Sequence, residues 1–217
     1  MRNKFTTSLL GMVALLLVFS QVGFAQDMKG RFGIGARIGY VNYSGDSIDD
    51  MDLDFDEAAM YGGNLVYYLH SYFSLELSAD YVKTDAELKG SGLSPINFGE
   101  LKQIPIILSG RFHFSTNQKI SPYLSGGIGY YINDFDLSDS ASSELPSGSE
   151  FDPDDSIGFH LGGGVQFLLN EHIALDLDVK YIWNKTDFNA KSPGYETEEV
   201  SVDLDNLYVG VGLKYYF

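Results

Sequence analysis

Residues 31–40 read RFGIGARIGY, and this stretch decides the fold. Successive side chains of a strand point to opposite faces, so Phe32, Ile34, Ala36, Ile38 and Tyr40 share one face and Arg31, Gly33, Gly35, Arg37 and Gly39 the other. The first face is too apolar to lie in water over such a length. The second is too charged and too thin for the core of a soluble domain. A strand with these two sides separates lipid from a narrow polar interior.

The same split recurs along the chain in segments of about ten residues, the length at which a tilted strand crosses the hydrocarbon layer. Outward sets are Tyr61, Leu65, Tyr67 and Leu69; Phe73, Leu75, Leu77, Ala79 and Tyr81; Ile104, Ile106, Leu108, Phe112 and Phe114; and Leu124, Ile128, Tyr130 and Ile132. Two more start at Ile157 and Ile173, and the chain closes on GVGLKYYF, residues 210–217, where Val211, Leu213, Tyr215 and Phe217 alternate with Gly210, Gly212, Lys214 and Tyr216. Eight strands result, an even number able to close on itself. Short connections at 70–72, 115–121 and 170–172 alternate with long ones at 44–58, 84–100, 133–155 and 184–200. The expected fold is all-β, an eight-stranded antiparallel transmembrane β-barrel of outer-membrane type with short periplasmic turns and long extracellular loops.

A soluble lipocalin-like barrel also alternates, with its apolar face turned inward. Two features oppose it here. Aromatics gather toward the ends of the apolar faces, as in Tyr181 with Trp183 and Tyr215 with Phe217, where a membrane barrel carries its girdles. The opposite face is rich in glycine, as in GGIG at 126–129, which suits a narrow interior better than a solvated exterior.

The N-terminus fits the same destination. Arg2 and Lys4 precede an apolar run from Leu9 to Val18 and then GFAQ, the layout of a secretory signal, so residues 1–25 are expected to be removed after Ala25, leaving 26–217 as one barrel domain. Cysteine is absent, so the exported chain is stable without disulfides. The net charge of −16 argues against nucleic acid, whose binding rests on neutralising phosphates with Lys and Arg.

The stretch IPIILSGRFHFSTNQKISPYLSGGIGYYINDF (104–135), with its aromatic-x-Phe, short turn and Pro-Tyr-Leu-x-Gly-Gly-Ile-x-Tyr, resembles the central part of the OmpW family. LGGGVQFLLNEHIALDLDVKYIW (161–183) and the terminal VGVGLKYYF (209–217) resemble the rest of it. The resemblance implies an eight-stranded monomeric barrel that admits small, mainly hydrophobic solutes and releases them sideways into the membrane. It also implies that the terminal strand, through Tyr215 and Phe217, is read by the barrel-assembly machinery.

The lumen departs from that picture. By parity it holds Arg31, Arg37, Arg111, Lys180 and Lys214 against Glu76, Asp80, Asp176 and Asp178. Charges in so narrow an interior are costly unless paired, so cross-strand bridges are expected, Arg111 with Glu76 and Asp176 with Lys214, plugging the lower lumen. The alternative function is therefore a non-transporting structural or interaction barrel in the OmpA or OmpX style, with a salt-bridged lumen and acidic loops. Transport would need Met60, Val66, Ile107 and the inward tyrosines (68, 123, 131, 208 and 216) to form a continuous channel.

No catalytic constellation stands out. His113 and His160 fall on the lumen face and His70 and His172 in short turns, and neither G-x-S-x-G nor H-E-x-x-H occurs. Asp52, Asp54 and Asp56 alternate like calcium ligands, but Glu57 follows where an EF-hand needs glycine. The expectation is a protein that is not an enzyme and holds no cofactor or dedicated metal. Its partners are outer-membrane lipid and lipopolysaccharide, with divalent cations held loosely at the acidic loops.

Overall fold

A computed structural model describes residues 28–44, 46–48, 51–90, 96–114, 119–138, 150–191 and 198–217. The expected signal segment 1–25, residues 91–95 and residues 139–149 of the third long connection lie outside them. Among the described residues thirteen strands are formed: β1 (Phe32–Tyr43), β2 (Asp46–Ile48), β3 (Met51–Phe55), β4 (Ala58–His70), β5 (Phe73–Gly90), β6 (Ile96–His113), β7 (Ile120–Leu137), β8 (Glu150–Pro153), β9 (Ser156–Leu168), β10 (Ile173–Trp183), β11 (Lys185–Lys191), β12 (Glu198–Asp203) and β13 (Asn206–Tyr216).

Eight of these form the wall. Around the ring β1 pairs with β4, then come β5, β6, β7, β9, β10 and β13, and β13 returns to β1. Every pairing is antiparallel, and the seam runs from Gly33↔Tyr216 to Tyr43↔Asn206. Closure leaves no sheet edge in lipid, where an unpaired backbone group costs several kcal/mol, about 2–7 per group.

The outward face meets the expectation residue by residue. Ile34, Ile38, Leu108, Ile128, Leu161 and Leu213 are all exposed, and the same face carries Tyr61, Tyr130, Tyr181 and Trp183. An apolar surface that encircles the molecule far exceeds what water-soluble monomers present, so this face is solvated by lipid.

The structure corrects the reading of the long connections. β5, β6 and β7 each run 18 residues, longer than the roughly ten a bilayer needs, so 84–90 and 96–100 continue the wall instead of looping. β2 and β3 form a hairpin that adds to β5, and β8, β11 and β12 make a separate three-stranded sheet. The barrel thus stands well above its membrane belt, on the side away from the short turns.

Candidate functional site

The lumen is stacked in three tiers. Nearest the short turns lies an aromatic floor in which Tyr68, Val66, Ala174, Tyr216 and Met28 pack together. The Tyr68 and Tyr216 hydroxyls donate to Gln166 Oε1 at 3.3 and 3.0 Å. His113 spans Ser74 Oγ (3.0 Å) and Ser121 Oγ (3.1 Å), with its ring against Tyr68 and Tyr123. Neither histidine-bound serine has a carboxylate behind the ring, so this is a packed polar floor.

Above it lies the charge tier. Arg111 donates to Glu76 Oε1 at 2.5 Å and to Asp176 Oδ2 at 2.9 Å. Lys214 reaches the same two acids, Asp176 Oδ2 at 2.5 Å and Glu76 Oε2 at 2.9 Å. Arg37 is paired with Asp80 through Nε and Nη2, donates from Nη2 to Ser78 Oγ at 2.8 Å and has its Nη1 3.5 Å from Glu76. Lys180 lies 2.7 Å from Asp178, and Arg111 3.6 Å from it.

Four cations therefore face four acids, and the tier is neutral without any ion. Tyr123 donates to Asp176 Oδ1 at 2.5 Å while its ring lies 4.5 Å below Arg111. The space left among Arg37, Asn64, Arg111, Asp176, Asp178 and Lys214 is about 10 Å³, room for about one water. Side chains fill the lumen among these residues.

The geometry follows from strand chemistry. Glu76 faces Ser109 and Arg111 faces Ser74, so the ion pair spans a diagonal of two residues, within reach of long side chains. Asp176 and Lys214 stand in the same diagonal relation on β10 and β13. The two pairs expected from register are in contact, and they fuse into one network because Arg111 also reaches Asp176 and Lys214 also reaches Glu76.

Arg31 is the exception. β1 begins at Phe32, so Arg31 sits just outside the wall, partly exposed at the rim. Its guanidinium donates to the backbone oxygens of Glu171 (2.7 Å) and Phe217 (3.2 Å), beside His172. It ties β1 to the rim of the last strand instead of joining the lumen charges. Tyr215 and Phe217 face outward, with the Phe217 ring on that of Phe32 at 6.0 Å.

The outer tier is apolar. Val41, Tyr43, Phe55, Ala58, Met60, Val82, Leu101, Tyr131, Ile182, Phe188, Val202 and Leu204 form one cluster, edged by Phe135 and Val200. Met60 belongs to this cluster and Val66 to the floor, with the charge tier between them, so the continuous channel set out from sequence is not formed. Toward the short turns this packed cluster gives way to the Arg37–Asp80 pair, with the Arg37 guanidinium 5.5 Å from the Tyr208 ring.

At that boundary the wall changes. The β5–β6 ladder runs from Phe73↔Phe112 to Ala79↔Ile106 and resumes at Val82↔Gln103, with no pairing between. The residues left out face Pro105 and Ile104. An antiparallel residue sends its N–H and C=O to the same neighbour, and Pro105 keeps its place opposite Tyr131 on β7, so its missing donor falls on the β5 side, opposite Asp80. Proline in a strand reads as an edge or a bulge; here it interrupts the β5–β6 ladder opposite Asp80, a signal the sequence carried.

Known proteins place this architecture. Residues 11–217 match the outer membrane protein beta-barrel domain family. Outer membrane protein AlkL of Ectopseudomonas oleovorans is 23% identical over 85% of this chain and 77% of its own length. The crystal structure of OprG from Pseudomonas aeruginosa superposes with a TM-score of 0.77 at 23% identity, covering 88% of this chain and 97% of that one. Outer membrane protein W of E. coli gives 0.55 at 21% identity over 87% and 98%. With its closed eight-stranded wall and lipid-facing belt, the chain belongs to the outer membrane protein beta-barrel domain family, as an OmpW-like transmembrane barrel of the outer membrane.

Proposed function

We propose that the protein passes small, mainly hydrophobic solutes from the cell exterior into the outer membrane, by a path that turns sideways. The observation that carries this is a coincidence of level. The apolar cluster ends on the Arg37–Asp80 pair, and the β5–β6 ladder is interrupted at Asp80 itself. An apolar molecule that has left water for this cluster gains nothing by entering a desolvated charge tier, whereas lipid lies one strand away.

The test is uptake of a small hydrophobic fluorophore by cells bearing the wild type or Pro105→Ala. The alanine supplies the missing N–H to Asp80 and closes the ladder. Protein-dependent uptake that slows in the variant is expected. Uptake unchanged by the variant would sink the sideways path, and uptake no faster than in cells without the protein would leave a structural barrel.

The rest of the reading is consistent with export and residence in the outer membrane. Residues 1–25 would be removed after Ala25, and Tyr215 and Phe217 would be offered to the assembly machinery. The acidic outer loops would meet lipopolysaccharide through loosely held divalent cations. The protein would work by partition and diffusion, without catalysis.

A further inference from the structure

The outer tier is not wholly apolar. A hydrogen-bonded belt crosses it: Tyr43 donates to Gln103 Oε1 (2.6 Å), Gln103 Nε2 to Asn133 Oδ1 (2.8 Å), and Asn133 Nδ2 to Ser156 Oγ and Thr186 Oγ1 (both 3.3 Å). Ser156 then donates to Asn184 Oδ1 at 2.9 Å. There the belt stops with polar atoms to spare. Asn184 Nδ2, Asn206 Oδ1 and the Tyr131 hydroxyl are buried and meet no partner in the protein, in residues only 2–3% exposed.

These three groups are neighbours. The Tyr131 ring lies across Gly129 and Gly158, where a Cβ would stand 2.8 and 2.9 Å from its Cε2. The same point on Gly158 is 3.2 Å from Asn184 Cβ, so the Tyr131 ring edge and the base of the Asn184 side chain flank one spot. Asn206 is joined to them through Leu204, whose N–H donates to Asn184 O (2.8 Å) and whose carbonyl accepts from Asn206 Nδ2 (3.0 Å). Tyr131 also stands opposite Pro105, at the interrupted ladder.

A buried polar atom without a partner costs about 1–3 kcal/mol, and here two donors and an acceptor lie on neighbouring residues beside the apolar cluster. We propose that they bind the head of an amphiphile, a short apolar chain ending in a neutral hydroxyl, before it leaves past Pro105. A hydroxyl accepts from Tyr131 or Asn184 and donates to Asn206, which an alkane cannot do. A carboxylate is disfavoured at this level, because Arg37, although its Nη1 makes no hydrogen bond, is already ion-paired with Asp80 and 3.5 Å from Glu76, so an added anion would meet two acids there. The inference rests on the transport reading and adds the class of solute.

Initial uptake of 1-octanol and of n-octane is measured in cells carrying the wild type or Tyr131→Phe, with folding checked by heat-modifiable mobility. In parallel, the side-chain amide signals of Asn184 and Asn206 are followed by NMR in lipid nanodiscs as 1-octanol is added. Tyr131→Phe removes a hydroxyl with no partner, so a purely structural tyrosine would leave stability unchanged or raised. The expected result is a three- to tenfold loss of protein-dependent octanol uptake, roughly one hydrogen bond, with octane uptake unaltered and the amide signals shifted by the alcohol in the wild type.

Octane and octanol entering alike, and alike in the variant, would overturn the head-group site while leaving transport standing. Absence of protein-dependent uptake for both would overturn transport. In that case the amide signals decide: unshifted signals mean a site for water alone and end the proposal, and shifted signals keep the site without the passage.

Discussion

The inner and outer halves of the lumen are made of the same eight strands and solve opposite problems. Below, every cation faces an acid, and the tier is held by Glu76, Asp176 and Asp178 acting between Arg111, Lys180 and Lys214. Above, apolar side chains surround a belt of amides and hydroxyls whose bonds are not all used. Both halves keep buried polar atoms without a hydrogen-bond partner, Arg37 Nη1, Arg111 Nε and the Asp178 oxygens below and Asn184 Nδ2 and Asn206 Oδ1 above; below they belong to side chains already held in ion pairs, and above to neutral groups that no charge satisfies. The difference assigns stiffness to the lower half and selection to the upper.

The largest blow to this contrast is Glu76→Ala. It leaves Arg111 and Lys214, both buried, short of a shared acid. Breaking a buried ion pair costs about 3–5 kcal/mol, and the urea midpoint of the refolded barrel should fall accordingly. Arg111→Ala tests the plug itself: a folded barrel that gains discrete conductance in a planar bilayer identifies the bridges as the seal, and a barrel that only loses stability makes them structural.

In the upper half, Leu101 is fully buried in the apolar cluster. Leu101→Ala should cost about 2 kcal/mol, the low end for a core leucine. A loss well below this would mean a chamber with room to spare rather than a packed core, and would sharpen the case for a solute site.

At the boundary, Pro105→Ala should return one ladder bond, about 1 kcal/mol, opposed by the greater freedom of alanine in the unfolded chain. Its clearer readout is hydrogen exchange. The new amide at residue 105 should be strongly protected, and an unprotected amide would place the opening elsewhere.

The smallest effect belongs to the outer surface beyond the girdle, where Lys102 pairs with Asp136 and Lys83 with Glu100. The Asp136 carboxylate raises the Lys102 ammonium above its ordinary value. A raised lysine contributes below its unfolded pKa of about 10.4 and ceases to contribute as pH climbs through the folded one. Lys102→Gln should therefore match wild-type stability above that range, differ slightly at pH 7–9, and differ less as salt is added.

The wall was legible because lipid enforces a strict period of two. A residue such as Leu161 or Leu213 has one tolerable side, and its neighbours follow. The charge tier was legible for the same reason, since Arg37, Glu76, Arg111, Asp176 and Lys214 could not face hydrocarbon. Arg31 misled because parity says which side a residue faces and nothing about where the strand begins. The strands beyond the membrane were harder, because outside lipid an outward Lys83 or Asp85 no longer breaks the pattern that defined the wall. Beyond that point polar and apolar residues both face water, and the alternation stops announcing itself. The amide belt was hidden by its own chemistry: Gln103, Asn133 and Asn184 carry no charge to mark them, and only the register of β6, β7, β9 and β10 brings them into line.

The rim contact between Arg31 and Phe217 joins residues 186 positions apart. That distance has a meaning in time. The first and last strands of the wall must meet before either has all its partners, and closing a loop lengthens the search while rewarding it only at the end. Pairing can zip from hairpin to hairpin along the chain, yet the barrel gains its full protection from lipid only at the seam. Folding should therefore be slow and concerted, with its rate set by how often β1 and β13 come together, so that substitutions along that seam alter kinetics more than their local contacts suggest.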